Sequence, residues 1–193
     1  TTLFRSTRAD TEGGVRLIVS ESPELDFPVA EVEGTADESR DLTVSLEVAG
    51  LPAGREYFYQ FRRMDDDTQR STIGRMWTAP AAMTASAVRF VYTGDSNFAY
   101  APMVAMGFIP AERPDVFIWF GDTIYADVTA GGQGAAVTRE DYRAKYRQMF
   151  GDPGVQAALS GSTLLAGWDD HEVFNDYAGN DPALDRDRQV AAY

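Results

Sequence analysis

Val116-Phe117-Ile118-Trp119-Phe120-Gly121-Asp122 is an apolar run that ends in Gly-Asp. A short, unbroken run of apolar β-formers predicts a strand that is buried on both faces of a parallel sheet. The same arrangement occurs twice more, where Val88-Arg89-Phe90-Val91-Tyr92 leads into Gly94-Asp95 and where Thr163-Leu164-Leu165-Ala166 leads into Trp168-Asp169-Asp170-His171-Glu172. Because the carboxyl ends of neighbouring parallel strands lie at one edge of their sheet, the acids are expected to meet there.

The segments between these runs predict helices. The interval between Asp95 and Asp122 fits one right-handed β-α-β unit. Residues 102–112 are predicted to be helical, and Pro114 ends that helix before the next strand. Thr138 is predicted to cap a second helix, whose first turn is acidic. The second part of the chain is therefore predicted to be an α/β domain.

Residues 1–80 predict an all-β sandwich of the immunoglobulin or fibronectin type. Residues 42–48 alternate apolar and polar side chains, the period of a half-buried strand, and Gly- and Pro-containing turns separate the β-rich runs. Leu51-Pro52-Ala53-Gly54-Arg55-Glu56-Tyr57 resembles a tyrosine corner, in which the Tyr hydroxyl bonds back to the backbone; a simple strand aromatic is the alternative. The weakly charged segment 79–87 predicts a linker, so the domains are expected at 1–80 and 88–193.

The composition is that of a folded, acidic protein. The 193 residues are 44% hydrophobic and carry a net charge of −13. This charge excludes a basic nucleic-acid-binding surface, and an anionic substrate would need locally bound cations. Without cysteine there is no disulfide or thiolate ligand, and no apolar run of about 18 residues predicts a membrane-spanning helix. The chain begins at Thr1 without a signal peptide, which indicates a processed chain, a trimmed chain or a fragment.

The acids at the predicted strand ends form a candidate metal site. Carboxylates are hard oxygen ligands that suit Ca²⁺, Mg²⁺, Mn²⁺ or ferric iron. Asp122, on the middle strand, is placed to bridge two ions, which could hold a phosphate and activate a water for in-line attack. His171, the only histidine, is then placed to protonate the leaving alkoxide. The candidate oxygen ligands are Asp95, Asp122, Asp169 and Asp170.

Other interpretations account for parts of this pattern. A lone Gly-Asp after a strand is usually a turn, a lone His171 is more often structural, and Tyr142 on a helix face is more often core packing. A non-catalytic surface binding or adhesion protein would use the sandwich for recognition, but it does not need acids at strand ends. A phosphotransferase would use Asp122 as its nucleophile, but Ile124 stands where a second acid would be expected.

The stretch from Phe90 to Tyr177 resembles the PhoD-like alkaline phosphatase family, within the calcineurin-like metallophosphoesterases. Residues 40–43 and 50–52 are similar to the sandwich domain of that family. The resemblance implies a fibronectin-like sandwich followed by the first half of an α/β metallophosphoesterase sandwich, with phosphomonoesterase or phosphodiesterase activity. The segments that carry it are Phe90-Val91-Tyr92-Thr93-Gly94-Asp95, Trp119-Phe120-Gly121-Asp122-Thr123-Ile124-Tyr125, residues 140–146 and, most specifically, Trp168-Asp169-Asp170-His171-Glu172-Val173-Phe174-Asn175-Asp176-Tyr177.

The resemblance also implies roles for single residues. It places Asp95 at the first metal-ligand position and Asp122 at the bridging carboxylate. Tyr142 falls at the position of a tyrosine ligand of ferric iron. Asp170 takes the place of the metal-binding Asn of the wider superfamily, and His171 takes the place of its catalytic His. The implied cofactors are iron and calcium, with manganese, magnesium or zinc as alternatives.

Two more residues are assigned by the resemblance, and two positions depart from the pattern of the relatives. Asn175 is a further candidate calcium ligand, and Asp169 is expected to support a ligand rather than to bind metal. Asp95 stands where many relatives have Cys, and a carboxylate is a harder ligand than a thiolate. Asn97 stands where the wider superfamily has His, and it is a candidate substrate-binding residue.

The family's catalytic domain is longer than this chain, and its second half adds metal ligands. We therefore expect the chain to hold only part of the site, to bind metal weakly and to hydrolyse phosphate esters poorly. The implied partners are a small phosphate ester or a phospholipid and a missing carboxyl-terminal half, with no nucleic acid as a stable partner. The family is generally exported, which implies a secreted or periplasmic location.

Overall fold

The computed structural model of the protein describes residues 1–178, 180 and 186–192. The chain divides into two compact units. One is formed by Thr1–Val88 with Ser160–Ser162, and the other by Arg89–Leu159 with Thr163–Tyr193. Among the described residues, no helix has the length and apolar character needed to cross a membrane.

Residues 1–88, all of which the structure describes, form antiparallel strands. The strands are β1 (Leu3–Arg8), β2 (Gly13–Ser20), β3 (Ala30–Ala36), β4 (Thr43–Val48), β5 (Glu56–Arg63) and β6 (Gly74–Trp77). β1 pairs with β4 in a two-stranded sheet, and the other four strands form a sheet in the order β3-β2-β5-β6. This part of the chain is all-β, as its turn-punctuated, alternating sequence predicts.

The two sheets of this unit share one hydrophobic core. In β4, Val44, Leu46 and Val48 are buried while the residues between them are exposed, because successive side chains of a strand point to opposite faces. Their buried partners in the larger sheet include Leu17 and Met76. The half-buried strand predicted from the alternation over residues 42–48 is confirmed at Thr43–Val48.

The tyrosine corner predicted at Tyr57 is wrong. The ring of Tyr57 is buried, but its hydroxyl has no hydrogen-bond partner in the described part of the chain. Thr78 instead holds the turn before β5: its hydroxyl donates to the Pro52 carbonyl (2.7 Å) and accepts from the Arg55 N–H (2.9 Å). A buried hydroxyl brought in by the neighbouring strand thus satisfies the backbone that the corner would have used.

The second unit contains a parallel sheet, and its α-helices follow the second and third strands. Its strands pair in the order β7-β8-β9, and its long connections are those that parallel pairing requires. The elements are β7 (Phe90–Thr93), β8 (Val116–Trp119), α1 (Arg139–Phe150), α2 (Pro153–Gly161), β9 (Thr163–Ala166) and α3 (Arg186–Ala192).

The helices differ in how well the sequence predicts them. The segment predicted as a helix over residues 102–112 is a 3-10 helix, Val104–Glu112, with Pro110 inside it. Proline has no N–H to donate, so it is poorly suited to a continuous α-helix there. At α1, by contrast, Thr138 and Asp141 form the reciprocal hydrogen bonds of a capping box, and the predicted cap is confirmed.

The parallel sheet is buried on one face only. Phe117 and Trp119 of β8 are buried, and Trp119 meets Phe150 of α1 edge to face, with ring centroids 6.1 Å apart. On the opposite face, Tyr92 is 68% exposed and Phe120 is 53% exposed. The prediction that the 116–120 run is buried on both faces is therefore wrong, because in the described part of the chain the helices pack on one side. We call the exposed set of Phe90, Tyr92, Phe120 and Leu165 the apolar sheet face.

Candidate metal centre

Two of the predicted acids follow strands in turns of the same kind. Asp95 comes after β7 and Asp122 after β8, and their φ angles are 51° and 50°. Asp tolerates this left-handed region better than most residues do. The Ser96 N–H donates to the Asp122 carbonyl at 3.0 Å, so the two turns lie side by side. The local backbone thus brings both acids to one edge of the sheet, as the sequence predicts.

Asp122, Asp170 and His171 form the candidate metal group. One potential ligand atom from each of them lies within 4.8 Å of the other two. Asp122 is buried, and the other two residues are half-buried. Two carboxylates and an imidazole within this distance are a donor set suited to a divalent or ferric ion.

Burial makes Asp122 reluctant to ionise. The residue is 4% exposed, and loss of solvation raises the pKa of its carboxyl group to about 6. Hydrogen bonds from the His171 backbone N–H (3.2 Å) and from Tyr125 oppose this shift only in part. A bound cation would supply the charge compensation that Asp122 lacks.

Asp170 begins a compact turn that carries the rest of the motif. Its carbonyl accepts the N–H groups of Val173 (2.8 Å) and Phe174 (2.9 Å), and its carboxylate accepts the N–H of Asp176. These bonds close residues 170–176 on themselves. The turn fixes where the Asp170 carboxylate lies relative to the sheet edge.

Glu172 joins this turn to the end of β8. It is 1% exposed, and its carboxylate accepts the N–H (2.6 Å) and hydroxyl (2.7 Å) of Thr123 and the N–H of Asp169 (2.9 Å). Three donors compensate for the burial of the charge. Glu172 therefore has a structural role, which the sequence left open, and it holds the two halves of the metal group together.

His171 is held by two residues that the sequence analysis did not single out. Its Nδ1 lies 2.7 Å from a carboxylate oxygen of Asp127. Its ring stacks on Tyr125 with centroids 4.0 Å apart and planes inclined by 27°. Burial lowers the pKa of His171, but the hydrogen bond to Asp127 and the nearby charges of Asp122 and Asp170 outweigh it, so the pKa is raised.

Tyr125 also connects Asp95 to the group. Its hydroxyl lies 3.5 Å from the Asp95 carboxylate, and burial together with the Asp122 charge raises its pKa. Asp95 itself is exposed. Tyr125 ends one of the segments that carry the family resemblance, but no role followed from that. Asp127 had only its position shortly after the Gly-Asp turn at 121–122, a signal that many solvated loop residues share.

Three predicted site residues have other partners. Asn97 uses its side-chain oxygen to accept the N–H of Ala99 (2.8 Å). Asn175 is exposed, and its side-chain amide donates to Asp176 (2.6 Å). Tyr142 is buried, and its hydroxyl donates to the Val173 carbonyl (3.0 Å). The roles assigned to them by resemblance stay predictions.

Tyr142 has a second hydrogen bond that bears on its predicted role. Nε of Arg188 donates to the Tyr142 hydroxyl at 3.1 Å. A hydroxyl that donates to a carbonyl is protonated, so Tyr142 would have to give up the Val173 bond to bind a metal as a phenolate.

Together the fold and the site define an α/β domain with a candidate metal centre, preceded by an all-β unit. A family model described as "PhoD-like phosphatase" matches residues 90–192, and one described as "PhoD-like phosphatase, N-terminal domain" matches residues 3–80. The chain belongs to the PhoD-like phosphatase family, and the resemblance seen in its motifs is confirmed.

Two relatives show how much of such a protein the chain represents. Alkaline phosphatase D of Bacillus subtilis (strain 168) is 25% identical over 169 residues, which cover 78% of this chain and 28% of that protein. A solved structure described as "Structure of PhoD" is 23% identical with a TM-score of 0.90, and the match covers 100% of this chain and 42% of the other. The chain thus shares the fold of that structure and spans less than half the length of either relative.

Proposed function

We propose that this chain carries part of the active site of a metal-dependent phosphate-ester hydrolase. The observation that carries the proposal is the approach of Asp122, Asp170 and His171 to within 4.8 Å at the end of a parallel sheet. Membership of the PhoD-like phosphatase family supports phosphoester hydrolysis as the reaction class. The substrate class is a phosphomonoester or phosphodiester, either a small molecule or a phospholipid.

The residues present fit a metal ion. Asp122 and Asp170 would hold it through carboxylate oxygens, and Asp95 and Asn175 are further candidate ligands at the rim. Iron or calcium is the ion that the family resemblance favours, with manganese, magnesium or zinc as alternatives. When bound, such ions neutralise the charge of the phosphate and lower the pKa of a water molecule. The raised pKa of Asp122 supports this assignment, because that carboxylate lacks a compensating positive charge.

The chain's own residues supply the remaining chemistry. His171 is proposed to hold a proton for the leaving oxygen, because its pKa is raised by the surrounding carboxylates. Asn97 is proposed to contact the substrate through its amide, which its hydrogen bond to Ala99 holds in place. Tyr142 is proposed as an iron ligand only after its hydroxyl leaves Val173.

The apolar sheet face supports the part of the proposal that concerns completeness. Parallel sheets in α/β proteins are normally covered on both faces. The exposed Tyr92 and Phe120, with the partial coverage of the longer relatives, support an additional protein segment on this face. We accordingly propose a fibronectin-like sandwich followed by the first half of a metallophosphoesterase sandwich, with a further segment supplying the remaining ligands.

Export completes the proposal. The family resemblance favours a secreted or periplasmic protein, and fractionation of the source cells tests this. Recovery of the protein from the cytosol alone would count against it. The alternative of a non-catalytic adhesion module has no support from the family match.

Metal binding to the purified chain is the direct test. We expect wild type to bind Mn²⁺ or Ca²⁺ in calorimetry, and Asp122→Asn to bind at least about 10-fold more weakly. Asp152→Asn is the matched control, because Asp152 is a buried acid of the same unit. Its carboxylate accepts the N–H groups of Gly154 and Val155 and is not part of the candidate metal group. Equal binding by wild type and Asp122→Asn, or no binding by either wild type or a protein that carries the whole catalytic domain, would overturn the assignment of the site.

Hydrolysis of p-nitrophenyl phosphate and bis-p-nitrophenyl phosphate tests the reaction. We expect slow turnover by this chain and faster turnover by a protein that carries the whole catalytic domain, in both cases lost in Asp122→Asn. If this chain hydrolysed either substrate as fast as the longer protein does, no further segment would be needed for activity.

A further inference from the structure

The Asp127 carboxylate contacts two residues of the compact turn at 170–176, namely His171 and Asn175. One of its oxygens lies 2.7 Å from Nδ1 of His171, and the other accepts the backbone N–H of Asn175 at 2.8 Å. The Asp127 and His171 side chains are 17% and 15% exposed, so water competes little for this contact. Neither composition nor motif spacing assigns a role to Asp127.

The backbone around His171 is held from the same loop. The Ala126 N–H donates to the His171 carbonyl (2.9 Å), and the His171 N–H donates to the Asp122 carboxylate (3.2 Å). Tyr125 stacks on one face of the imidazole ring. Because backbone, ring face and Nδ1 are all fixed by residues 122–127, the ring has one preferred orientation.

The contact with Asp127 determines where the proton of a neutral ring lies. A carboxylate only accepts hydrogen bonds, so the imidazole nitrogen facing it carries the proton. The second nitrogen, Nε2, then keeps its lone pair, and it is the atom that can take up a proton or bind a cation. In this arrangement the carboxylate sets the tautomer, as second partners of functional histidines generally do.

We propose that Asp127 is a positioning residue that fixes His171 in the Nδ1–H tautomer and presents Nε2 for chemistry. The functional part rests on the proposed function, since it makes Nε2 the atom that exchanges a proton with the phosphate ester. A purely structural Asp127 would tie down the turn through Asn175 and leave the tautomer to the ring itself.

Nitrogen-15 NMR of His171 tests the proposal in the intact chain. His171 is the only histidine, so its ring nitrogens give one unambiguous set of signals. On the alkaline side of the His171 titration and without metal, we expect wild type to show a protonated Nδ1 and an unprotonated Nε2. In Asp127→Ala, we expect the proton to shift to Nε2 or to be shared between the nitrogens.

Asp141→Ala is the matched control. Like Asp127, Asp141 accepts backbone N–H donation in the same unit, here from Val137 and Thr138, and its side chain bonds to this helix cap rather than to His171. We expect this variant to retain the wild-type tautomer. An unchanged tautomer in Asp127→Ala, or an equal change in Asp141→Ala, would overturn the proposal.

The wild-type spectrum decides the matter if Asp127→Ala does not fold. A wild-type ring protonated at Nε2 would refute the proposal without any variant. The measurement needs neither metal nor substrate, so an absence of metal binding or hydrolysis would count against the proposed function and leave the tautomer result intact.

Discussion

Asp122 combines an ionisable side chain with a buried site. Its pKa of about 6 lies above the ordinary value of 3.8, so between these values the folded chain binds more protons than the unfolded chain does. The stability that this group contributes is present below pH about 4 and is lost as the pH rises through about 6. Metal binding would reverse that loss, because a cation favours the charged form.

We therefore predict that Asp122→Asn stabilises the metal-free protein above its pKa. The amide removes the charge but keeps an oxygen that can accept the His171 N–H. The free energy of unfolding should rise by about 1–3 kcal/mol at about pH 8 and stay unchanged at about pH 4. Urea unfolding with a chelator present measures both values. Destabilisation at the higher pH would show that Asp122 is not strained by its charge.

Glu172 should respond in the opposite direction. Its carboxylate accepts from Thr123 and Asp169 on both oxygens, so the amide of Glu172→Gln would turn a donor toward a donor. We predict a loss of about 1–3 kcal/mol in the free energy of unfolding. The control Glu140→Gln changes an exposed residue paired with Arg147, and it should alter stability by less than about 1 kcal/mol. Equal effects of the two changes would remove the structural role of Glu172.

The turn after β8 depends on the glycine before Asp122. Gly121 has a φ of 124°, and a Cβ there would lie 2.6 Å from the Cβ of Asp169. Side chains rarely tolerate either condition. Gly132 offers a matched comparison, because its φ is also positive, 82°, but a Cβ added there would have no atom within 4 Å among the described residues.

We predict that Gly121→Ala destabilises the protein by about 2–5 kcal/mol, through backbone strain and overpacking together. Gly132→Ala should cost only about 1 kcal/mol, from the positive φ alone. Thermal unfolding of the two variants separates the contributions. Similar losses of stability in the two variants would show that Asp169 can move away from a Cβ at residue 121 without destabilising the protein.

The parallel sheet as a whole exposes an unusual amount of aromatic surface. The rings of Tyr92 and Phe120 lie 6.1 Å apart on the apolar sheet face, and those of Phe90 and Tyr92 lie 6.4 Å apart. Contiguous apolar patches usually mark a site of contact with other protein surface. The net charge of −13 makes copies of the chain repel one another and so opposes their association through this face.

We predict that the native chain binds an apolar fluorescent dye through this face. The double substitution Tyr92→Thr with Leu165→Thr keeps β-forming residues and should lower the dye signal at least about twofold. Phe27→Asn is the control, since Phe27 is 92% exposed in the all-β unit and its φ of 51° lies in the left-handed region that Asn tolerates. Equal loss of signal in the control would show that the dye does not report on the sheet.

Short-range patterns accounted for much of the fold. The alternation in β4, the cap at Thr138 and the acids after β7 and β8 depend on neighbours in the chain, and each occurs as predicted. The tyrosine corner failed because the hydroxyl that holds its turn belongs to Thr78, which directly follows β6 and lies 26 residues beyond Pro52 in the chain. The prediction that β8 is buried on both faces failed because burial depends on what covers each face of the sheet. The periodicity of the sequence does not reveal that.

The candidate site likewise has features that follow from neighbours in the chain and features that depend on distant contacts. Residue types and their spacing were enough to predict acids converging at strand ends and to recognise the family, because strand direction and ligand chemistry are local properties. Three sets of hydrogen bonds are visible only in the tertiary structure. Asp127 contacts the His171 ring, and the Tyr142 hydroxyl donates to the Val173 carbonyl. The Glu172 carboxylate accepts from both Thr123 and Asp169. These contacts join residues far apart in the chain, and their geometry follows from packing of the whole unit.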